Sequence, residues 1–380
     1  MELKLNVNDV LPQLTSVASV IGNKNAIAIL DKVLFEVNAQ DNVLSLTGSD
    51  SNTWVTMKAN LISSTQDIRF CILAKDVLQS LRNLQGFIVT LTLDESKKVV
   101  EFDYGKGKFM LPYEDADDYP KPKDLSDKNV KHFHLNPKDF LNTIEKTKFA
   151  MAKDEIRKAM CAICFDFFKD YVVAVASDGM KLVKYTNKNI KSEIEDETKQ
   201  RLVLSSKPST TLAMLLASTS FDNVSVAFDE TNAVFVTDGF KVSTRLGEQR
   251  YPNYDAVIPQ DNHLEIVLPK KDVVDALKRV LPLGSATTLL VVATLENNEI
   301  TLRAEDSDFS KSASETLPCQ YNDVKFTIGF KGSTLLEMVQ NIEQENIVLK
   351  FKEPSRAFIV KPQETSDMME YTSILMPMLM

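Results

Sequence analysis

Cysteine is scarce in this sequence, which has only Cys71, Cys161, Cys164 and Cys319 in 380 residues. So few thiols in so long a chain do not make a disulfide framework. The basic and apolar regions of a signal peptide are missing from the opening stretch, MELKLNVNDV. No apolar run approaches the roughly 20 residues of a membrane span. We therefore expect a protein of the reducing cytoplasm with no membrane partner.

Positive charge is also in deficit. Lys and Arg number 44 against 53 Asp and Glu, so the formal net charge is −9 and the pI is about 5.1. An acidic total argues against a simple basic protein that coats DNA, but it does not exclude nucleic acid because local fields matter more than the sum. With 44% hydrophobic residues, the chain is long enough for two or three domains.

Signals for catalysis and for bound groups are weak. With three histidines in the chain, no Ser-His-Asp arrangement stands out, and the phosphate-binding pattern G-x-x-x-x-G-K-[ST] is absent. Cys161 and Cys164 form a lone C-x-x-C in a strand-like run. His132 and His134 share one strand face without an evident third ligand. We interpret both pairs as structural, and we expect no catalytic residue, no metal and no cofactor.

What the sequence does contain is a repeat of domain size. Three strand-like runs each end in a polar residue and Asp, and they read VLSLTGSDSN, VVAVASDGMK and EITLRAEDSD. Their aspartates, Asp50, Asp178 and Asp306, follow one another at intervals of 128 residues. Such a period is larger than that of a solenoid repeat. The regular recurrence argues against a catalytic set and predicts turn residues after a strand.

Each repeat contains two smaller units, in which a short apolar strand and a polar break precede a helix-period segment. Asp or Ser stands near each predicted helix start, where it caps free N–H groups or favours the helix dipole. These residues are Asp9, Asp76, Asp139, Ser209, Asp272 and Ser333. Pro12 predicts that the first helix starts later than the pattern implies. We expect an α+β repeat protein with about eight strands and two helices in each third.

Lysines near the helix starts have two interpretations. They are Lys75, Lys207, Lys270, Lys271 and Lys331, where the dipole is unfavourable for a cation. If the half-units curve in one sense, the helices line a concave side, and the lysines form a basic lining that meets phosphates. Two such arcs could close head-to-tail into a ring. Alternatively, these are ordinary solvated lysines.

The repeat and four motifs together resemble one known family. The motifs are LSLTGSD, VASDGMKL, RYPNYDAVIP and the terminal ILMPM, and they cover essentially the whole chain. They are similar to those of the bacterial DNA polymerase sliding clamps, the beta subunits of the replicative polymerase. The resemblance implies the DNA-clamp fold in three domains, residues 1–125, 126–256 and 257–380. It also implies a ring-shaped head-to-tail homodimer with helices inside and β-sheets outside.

The function implied by this resemblance is that of a non-catalytic processivity subunit. The ring would encircle duplex DNA without reading its sequence, tether the replicative polymerase, and be opened by a separate clamp loader. The residues expected to face DNA are Lys24, Lys146, Lys148, Arg157, Lys207, Lys278 and Arg279. The dimer would pair edge strands, with anchors at Phe109 and Leu111 on one side and at Leu281 and Leu283 on the other.

The uncharged tail suggests a further site. The last eight residues carry no charged side chain, so they are either a core strand or part of a surface that something else binds. By the resemblance, the tail forms one wall of a pocket between the second and third domains, for short linear peptides of the polymerase, the clamp loader and repair proteins. Flexible methionines suit a site that takes several peptides. The implied residues are Met160, Ser177, Gly179, Met180, Lys181, Leu182, Pro252, Val257, Ile374, Met376, Pro377 and Met378.

Two departures from the family accompany this interpretation. The family often has His-Arg where this chain has Met180 and Lys181, and it often has basic residues where Asp255 and Ala256 stand. The pocket is therefore expected to be more apolar and less basic than usual. Two other functions remain open, a monomeric repeat-built interaction scaffold and a nucleic-acid hydrolase that uses carboxylates such as Asp178.

Overall fold

The structure is a computed structural model that describes residues 1–22, 25–125, 129–192, 199–218, 220–247 and 250–380. In these residues each third of the chain holds two helices and eight or nine strands, as the repeat predicts. The first third contains α1 (Val7–Ala18), α2 (Ala74–Arg82), β1 (Glu2–Asn6), β2 (Lys32–Asn38), β3 (Val43–Ser49), β4 (Thr53–Asn60), β5 (Ser63–Ser64), β6 (Ile68–Leu73), β7 (Ile88–Asp94), β8 (Val99–Asp103) and β9 (Lys108–Asp115). The second third contains α3 (Pro137–Lys148), α4 (Ser206–Ser218), β10 (Lys131–Leu135), β11 (Ala162–Phe167), β12 (Val172–Ser177), β13 (Lys181–Asn187), β14 (Gln200–Ser205), β15 (Val224–Phe228), β16 (Asn232–Val236) and β17 (Phe240–Arg245). The last third contains α5 (Lys270–Val280), α6 (Gly332–Gln340), β18 (Leu264–Pro269), β19 (Leu290–Glu296), β20 (Glu299–Asp306), β21 (Lys311–Pro318), β22 (Phe326–Lys331), β23 (Asn346–Phe351), β24 (Phe358–Pro362) and β25 (Met369–Leu375).

The helices begin near the predicted residues, but asparagines supply the caps at two of them. The Asn6 side chain accepts a hydrogen bond from the backbone N–H of Asn8 at 3.0 Å, at the start of α1. Asn136 accepts one from Asp139 at 3.2 Å, at the start of α3. Asp9 and Asp139 lie inside the first turn, where a carboxylate favours the helix dipole without being the capping residue.

The prediction that Pro12 delays the first helix is wrong. The helix α1 starts at Val7 and contains Pro12 in its interior. Proline cannot donate to the carbonyl of Asn8, but both residues are exposed, so water can satisfy that carbonyl. The opposite face of α1 is buried and holds the helix in place. No helix in the described part of the chain is long and apolar enough to cross a membrane.

Contacts divide the chain into two compact units. One comprises residues 1–141 and 210–248, and the other comprises residues 142–209 and 249–380. The middle repeat contributes to both, because β10 and β15–β17 belong to the first unit whereas β11–β14 belong to the second. The three repeats are consecutive segments of the chain, whereas the two units are defined by the sheet to which each strand belongs.

The first unit is built on one sheet of thirteen strands in the order β10-β15-β16-β17-β4-β3-β2-β6-β9-β8-β7-β1-β5. Helix α1 packs against β3, β4 and α2. Gly48 allows this close approach, since a Cβ there would lie 2.3 Å from the carbonyl oxygen of Val17. The first half of β9 pairs with β8 alone, and only Tyr113–Asp115 reach β6. Residues 108–112 are therefore an open sheet edge within the described chain.

The second unit has an eight-stranded sheet in the order β14-β11-β12-β13-β25-β24-β23-β18 and a four-stranded sheet in the order β21-β20-β19-β22. The last strand of the chain, β25, is an interior strand between β13 and β24. The stretch ENNE between two alternating runs predicts a hairpin turn. The structure confirms it, because Asn297 and Asn298 have positive φ between the paired Glu296 and Glu299.

Candidate functional site

An apolar cavity of about 270 Å³ lies in the second unit and brings together ten of the twelve residues predicted for the peptide pocket. Leu182 and Ile374, from the adjacent strands β13 and β25, are buried in one cluster with Tyr251 and Tyr254. The ten predicted residues in the wall are Met160, Ser177, Gly179, Met180, Lys181, Leu182, Pro252, Val257, Ile374 and Met376. A concave apolar surface with a few polar groups is the usual form of a ligand site.

The turn between β12 and β13 forms one rim of the cavity. The Asp178 carboxylate accepts hydrogen bonds from the backbone N–H groups of Met180 and Lys181, both at 2.8 Å. Ser177 Oγ donates to the carbonyl of Lys181, also at 2.8 Å. Asp50 accepts two backbone bonds in the same way in the first repeat. The predicted role of these two aspartates as turn residues is therefore confirmed.

Glycine is favoured at position 179 of this turn. Its φ is +85°, and a Cβ there would lie 2.1 Å from the guanidinium Nη1 of Arg157. That nitrogen donates to the carbonyl oxygen of Asp178 at 2.7 Å. Arg157 is predicted to face DNA, whereas the structure places its guanidinium against the rim of the cavity.

Lys181 places a cation in the mostly apolar wall, and nearby carboxylates of the protein pair with its charge. The side chain is 7% exposed, and Nζ donates to Glu337 of α6 at 2.8 Å. Asp178 lies 3.3 Å away, and the ring centroid of Phe149 lies 5.9 Å away. A buried cation needs such partners, and they leave the cavity surface largely apolar.

The opposite wall is held by a buried charge. Tyr254 lines the cavity, and its hydroxyl donates to Oδ2 of Asp166 at 2.7 Å. Asp166, on β11, is fully buried and also accepts from Arg201 at 2.6 and 2.8 Å and from Lys199 at 2.8 Å. Burial opposes the charged carboxylate, but the hydrogen bonds from Arg201, Lys199 and Tyr254 outweigh it and keep the pKa of Asp166 below its ordinary value.

The tail proves to be both a core strand and a wall of the cavity. After β25, Met376 donates its backbone N–H to the carbonyl of Met180 at 2.8 Å and places its side chain in the wall. Pro377 and Met378 are predicted for the pocket but do not line this cavity. The chain turns away there, because the N–H of Met378 bonds to the carbonyl of Gly329 on β22 at 2.7 Å.

Sequence reasoning missed several residues of the site. Tyr251, Asn253 and Tyr254 also line the cavity, and all three stand inside the motif RYPNYDAVIP, so their position in the motif was the available signal. Asp166 and Arg201 lie in none of the four family motifs, so the sequence did not indicate their part in the site. They face each other only because β11 and β14 pair in a register that sets residue 166 opposite residue 201.

The residues predicted to face DNA have varied surroundings. Lys24 lies outside the described residues. Lys146 is engaged within the protein, because its amine pairs with Glu343 at 2.7 Å and donates to the carbonyl of Asn341 at 3.2 Å, with 14% of its side chain exposed. This engagement does not support the assignment of Lys146 to a DNA-facing set. Lys148 pairs with Glu145 at 2.6 Å on its own helix.

Helices α4 and α5 carry the other three predicted cations. Lys207 is half-buried at the second position of α4. On α5, Arg279 donates through Nε to Glu315 of β21 at 2.8 Å. Lys278 beside it is exposed and forms no ion pair with a described residue. Among these three, Lys278 is best placed to meet a phosphate.

Two of the predicted dimer residues lie on an open sheet edge of the described chain, and the other two lie in a turn beside a second such edge. Phe109 and Leu111 are half-buried on the free half of β9, where Phe109 stacks on Phe102 with 4.8 Å between ring centroids. Leu281 and Leu283 form a single 3₁₀ turn after α5, beside β21, and Leu283 is 41% exposed. Within the described chain β21 pairs only with β20, so it is an edge as well.

The pairs interpreted as structural lie in ordinary surroundings. Cys164 is buried in β11, where burial raises the pKa of its thiol to about 12, and Cys161 is half-buried just before that strand. His132 and His134 are exposed on β10. In the part of the chain that the structure describes, no three His, Cys, Asp or Glu side chains are placed to hold a metal ion.

Comparison with known proteins identifies the family. Sequence models of the DNA polymerase III beta subunit match the N-terminal domain at residues 1–123, the central domain at 134–253 and the C-terminal domain at 255–379. The chain belongs to the DNA polymerase III beta-subunit family. A beta sliding clamp of Haemophilus influenzae is 23% identical over the full length of both chains, and one of Bacillus subtilis is 21% identical over 95% of this chain and 96% of its own.

Solved structures agree on the fold of this beta-subunit chain. A sliding clamp of Pseudomonas aeruginosa bound to griselimycin has a TM-score of 0.91 at 20% identity, with both chains covered completely. The DNA polymerase III beta subunit of Thermotoga maritima has a TM-score of 0.89 at 22% identity, with 100% of this chain and 99% of that chain covered. The predicted DNA-clamp fold, three repeats of α and β elements, is therefore confirmed.

Proposed function

We propose that this chain is a DNA sliding clamp, which encircles duplex DNA and tethers a replicative DNA polymerase. The observation that carries the proposal is the match to all three beta-subunit domains along one chain, together with an apolar cavity that contains ten of the twelve residues implied by the family resemblance. As a member of this family the chain is a non-catalytic processivity subunit. The proposed domains are residues 1–125, 126–256 and 257–380.

The cavity is proposed as the binding site for partner peptides of the polymerase, the clamp loader and repair proteins. Its methionines, Met160, Met180 and Met376, can repack around different apolar side chains. Its volume of about 270 Å³ suits one or two such side chains inserted from a short segment. Support also comes from the related Pseudomonas aeruginosa clamp, whose structure holds griselimycin.

Two copies are proposed to close head-to-tail into a ring. Residues 108–112 of β9 and the strand β21 are open edges, which are a liability unless they are paired. Pairing the β9 edge of one copy with the β21 edge of the next would give hydrogen-bond partners to the unpaired backbone groups of both edges. A heterologous contact of this kind forms a ring when its rotation closes.

DNA inside the ring would be held through phosphates without base readout. The proposed phosphate contacts are Lys278, Lys148, Lys207, Arg157 and Arg279, and Lys24 stays in the proposed set from the sequence alone. Contacts of this type are sensitive to salt and carry no sequence information. They are suited to a protein that slides.

The test is retention on DNA of defined topology. Loaded onto nicked circular plasmid with the loader of a related bacterium, the protein should stay bound through gel filtration and should be released when the plasmid is cut once. A linear plasmid with both ends blocked by bulky proteins serves as the control, since a ring is retained there as well. Equal retention on open linear and circular DNA, or a monomeric mass in solution, would contradict the proposal.

A further inference from the structure

A second groove lies on the same sheet face as the peptide cavity. Residues of β13 and β25 in the second unit line both of them, whereas β24 lines only the groove. Leu182 pairs with Ile374 under the cavity, and two residues further along the same strands Lys184 pairs with Thr372 under the groove. Two residues of a strand span about 7 Å, so the two sites are neighbours on one surface.

The groove differs from the cavity in being polar. It has a volume of about 320 Å³. Its lining combines Lys184, Lys350 and Lys361 with the carboxylates of Asp255 and Glu370. Asn262 also lines the groove, and its side-chain amide donates to the carbonyls of Lys350 and Ala357 at 3.0 and 3.1 Å. The groove therefore offers polar groups to an occupant.

One positive charge in the groove is left over after the ion pairs are assigned. Lys184 pairs with Asp255 at 2.7 Å, and Lys350 pairs with Glu265 at 2.5 Å. Glu370 pairs with Lys188, outside the groove, at 2.7 Å. Lys361 is half-buried on β24 and has no ion-pair partner in the part of the chain described. The complement to this groove is therefore a carboxylate.

One segment of the chain lines both the groove and the cavity. Tyr254 and Val257 face the cavity, whereas Asp255 and Ile258 face the groove, so the segment 254–258 belongs to both. Val257 is 54% exposed in this segment. We expect a peptide whose apolar side chains occupy the cavity to continue past this segment into the groove.

We propose that the polar groove is an extension of the peptide site and takes an acidic residue that flanks the apolar anchor of a partner segment. The inference rests on the proposed peptide-binding function. Lys361 is the residue that meets the acidic side chain, and Lys184 and Asp255 form the edge that the peptide crosses. The apolar cavity supplies anchoring, and the groove supplies a preference among partners.

The test separates the anchor from its flank. A panel of uncharged fluorescent hexapeptides carrying paired Leu, Met or Phe is first screened for binding to the full-length protein. The best binder is then extended at either end by Asp-Glu or, as the neutral match, by Asn-Gln. The acidic extension at one end should tighten binding roughly two- to fivefold at low salt, as expected for an exposed ion pair, and the gain should disappear at about 1 M salt.

Variants assign that gain to the groove. Lys361→Gln should abolish the difference between acidic and neutral extensions while leaving the affinity for the unextended anchor unchanged, and Lys361→Glu should reverse the preference towards a Lys-Arg extension. Lys325→Gln is the matched control, because it removes the same charge from a residue that pairs with Glu296 outside the groove. Failure of every anchor peptide to bind contradicts the proposed peptide site, and with it this inference. Anchor binding with no gain from acid at either end, or a gain lost equally in Lys325→Gln, overturns the inference alone.

Discussion

Tyr254 connects the wall of the peptide cavity to the buried carboxylate of Asp166 through one hydroxyl group. Tyr254→Phe keeps the ring in the wall and removes only that bond. We expect the affinity for an uncharged peptide to fall roughly two- to tenfold, since a single hydrogen bond contributes about 0.5–1.5 kcal/mol net and here fixes the position of the wall. Isothermal titration of the full-length variant measures the effect.

Tyr185 offers a matched control for this prediction. Its hydroxyl accepts a hydrogen bond from Asn142 at 2.9 Å, it lies on β13 of the same sheet, and it does not line the cavity. Tyr185→Phe also removes one hydrogen bond, so it should lower the free energy of unfolding by about 0.5–1.5 kcal/mol. It should leave peptide affinity unchanged. If both variants weakened binding equally, the hydroxyl of Tyr254 would serve only general stability.

Asp166 should make stability depend on pH in a defined direction. Asp166→Asn is expected to lower the free energy of unfolding at pH 7 by about 3 kcal/mol, because the variant leaves Arg201 and Lys199 without their buried partner. The value lies at the low end for buried pairs because those cations keep 34% and 41% of their side chains exposed.

The hydrogen bonds keep the folded pKa of Asp166 below the ordinary 3.8, so its stabilisation is present above about pH 4 and is lost as pH falls through the folded value. Urea unfolding at pH 7 and near pH 3 should therefore give a smaller difference between the two proteins in acid, and a constant difference would contradict the assignment.

At the scale of helices, two lysines predicted to have the same role have different surroundings. Lys146 of α3 bonds to Glu343 and to the carbonyl of Asn341, whereas Lys278 of α5 is exposed. Lys146→Ala should lower the free energy of unfolding by about 1 kcal/mol without changing the salt dependence of DNA binding. Lys278→Ala should leave stability unchanged and reduce the slope of log affinity against log salt by about 0.9. Thermal unfolding and fluorescence anisotropy with a short duplex measure the two effects, and equal slopes for both variants would remove Lys278 from the DNA contacts.

Elements could be predicted from local pattern, whereas the partners of charged side chains could not. Alternation and turn residues predicted the hairpin at Asn297 and the turn at Asp178, because both are decided by neighbouring residues. The effect of Pro12 could not be predicted from local pattern, because it depends on which face of α1 meets solvent. The environment of Asp166 depends on strand register and that of Lys146 on the approach of a distant loop, and neither is encoded in local spacing.

The terminal segment can be divided into a part that folds and a part that binds. The strand β25 is paired on both sides, Met376 lines the cavity, and Leu379 and Met380 are 98% and 67% exposed. Removal of residues 376–380 should abolish peptide binding and leave the far-ultraviolet circular dichroism and the oligomeric mass unchanged. Removal of residues 379–380 alone should leave peptide affinity unaltered. Loss of folding in the longer truncation would mean that the tail acts as core, so that its part in the cavity could not be separated from stability.

At the scale of the whole molecule, the repeat in the sequence and the sheets in the structure divide the chain differently. The middle repeat supplies β17, which pairs with β4 of the first repeat, and β13, which pairs with β25 of the third. Covalent order therefore gives three domains, whereas hydrogen bonding joins them into two units. A break in the middle repeat should thus weaken both units, because each sheet relies on strands from it.

The head-to-tail contact proposed between copies can be tested at Leu283, which lies beside the β21 edge and is 41% exposed in the single chain. Leu283→Asp should convert the dimer to a monomer in analytical ultracentrifugation, because an uncompensated carboxylate would be buried in the contact. Retention on nicked circular DNA should disappear with the dimer, while peptide affinity stays unchanged, since the cavity lies within one chain. Val324→Asp introduces the same charge at a residue that is 77% exposed and outside the proposed contact, and it should keep both the dimer mass and the retention. If the Leu283→Asp protein remains dimeric and is retained on circular DNA, the contact lies elsewhere on the subunit. If the variant loses retention but stays dimeric, ring closure is separate from dimer formation.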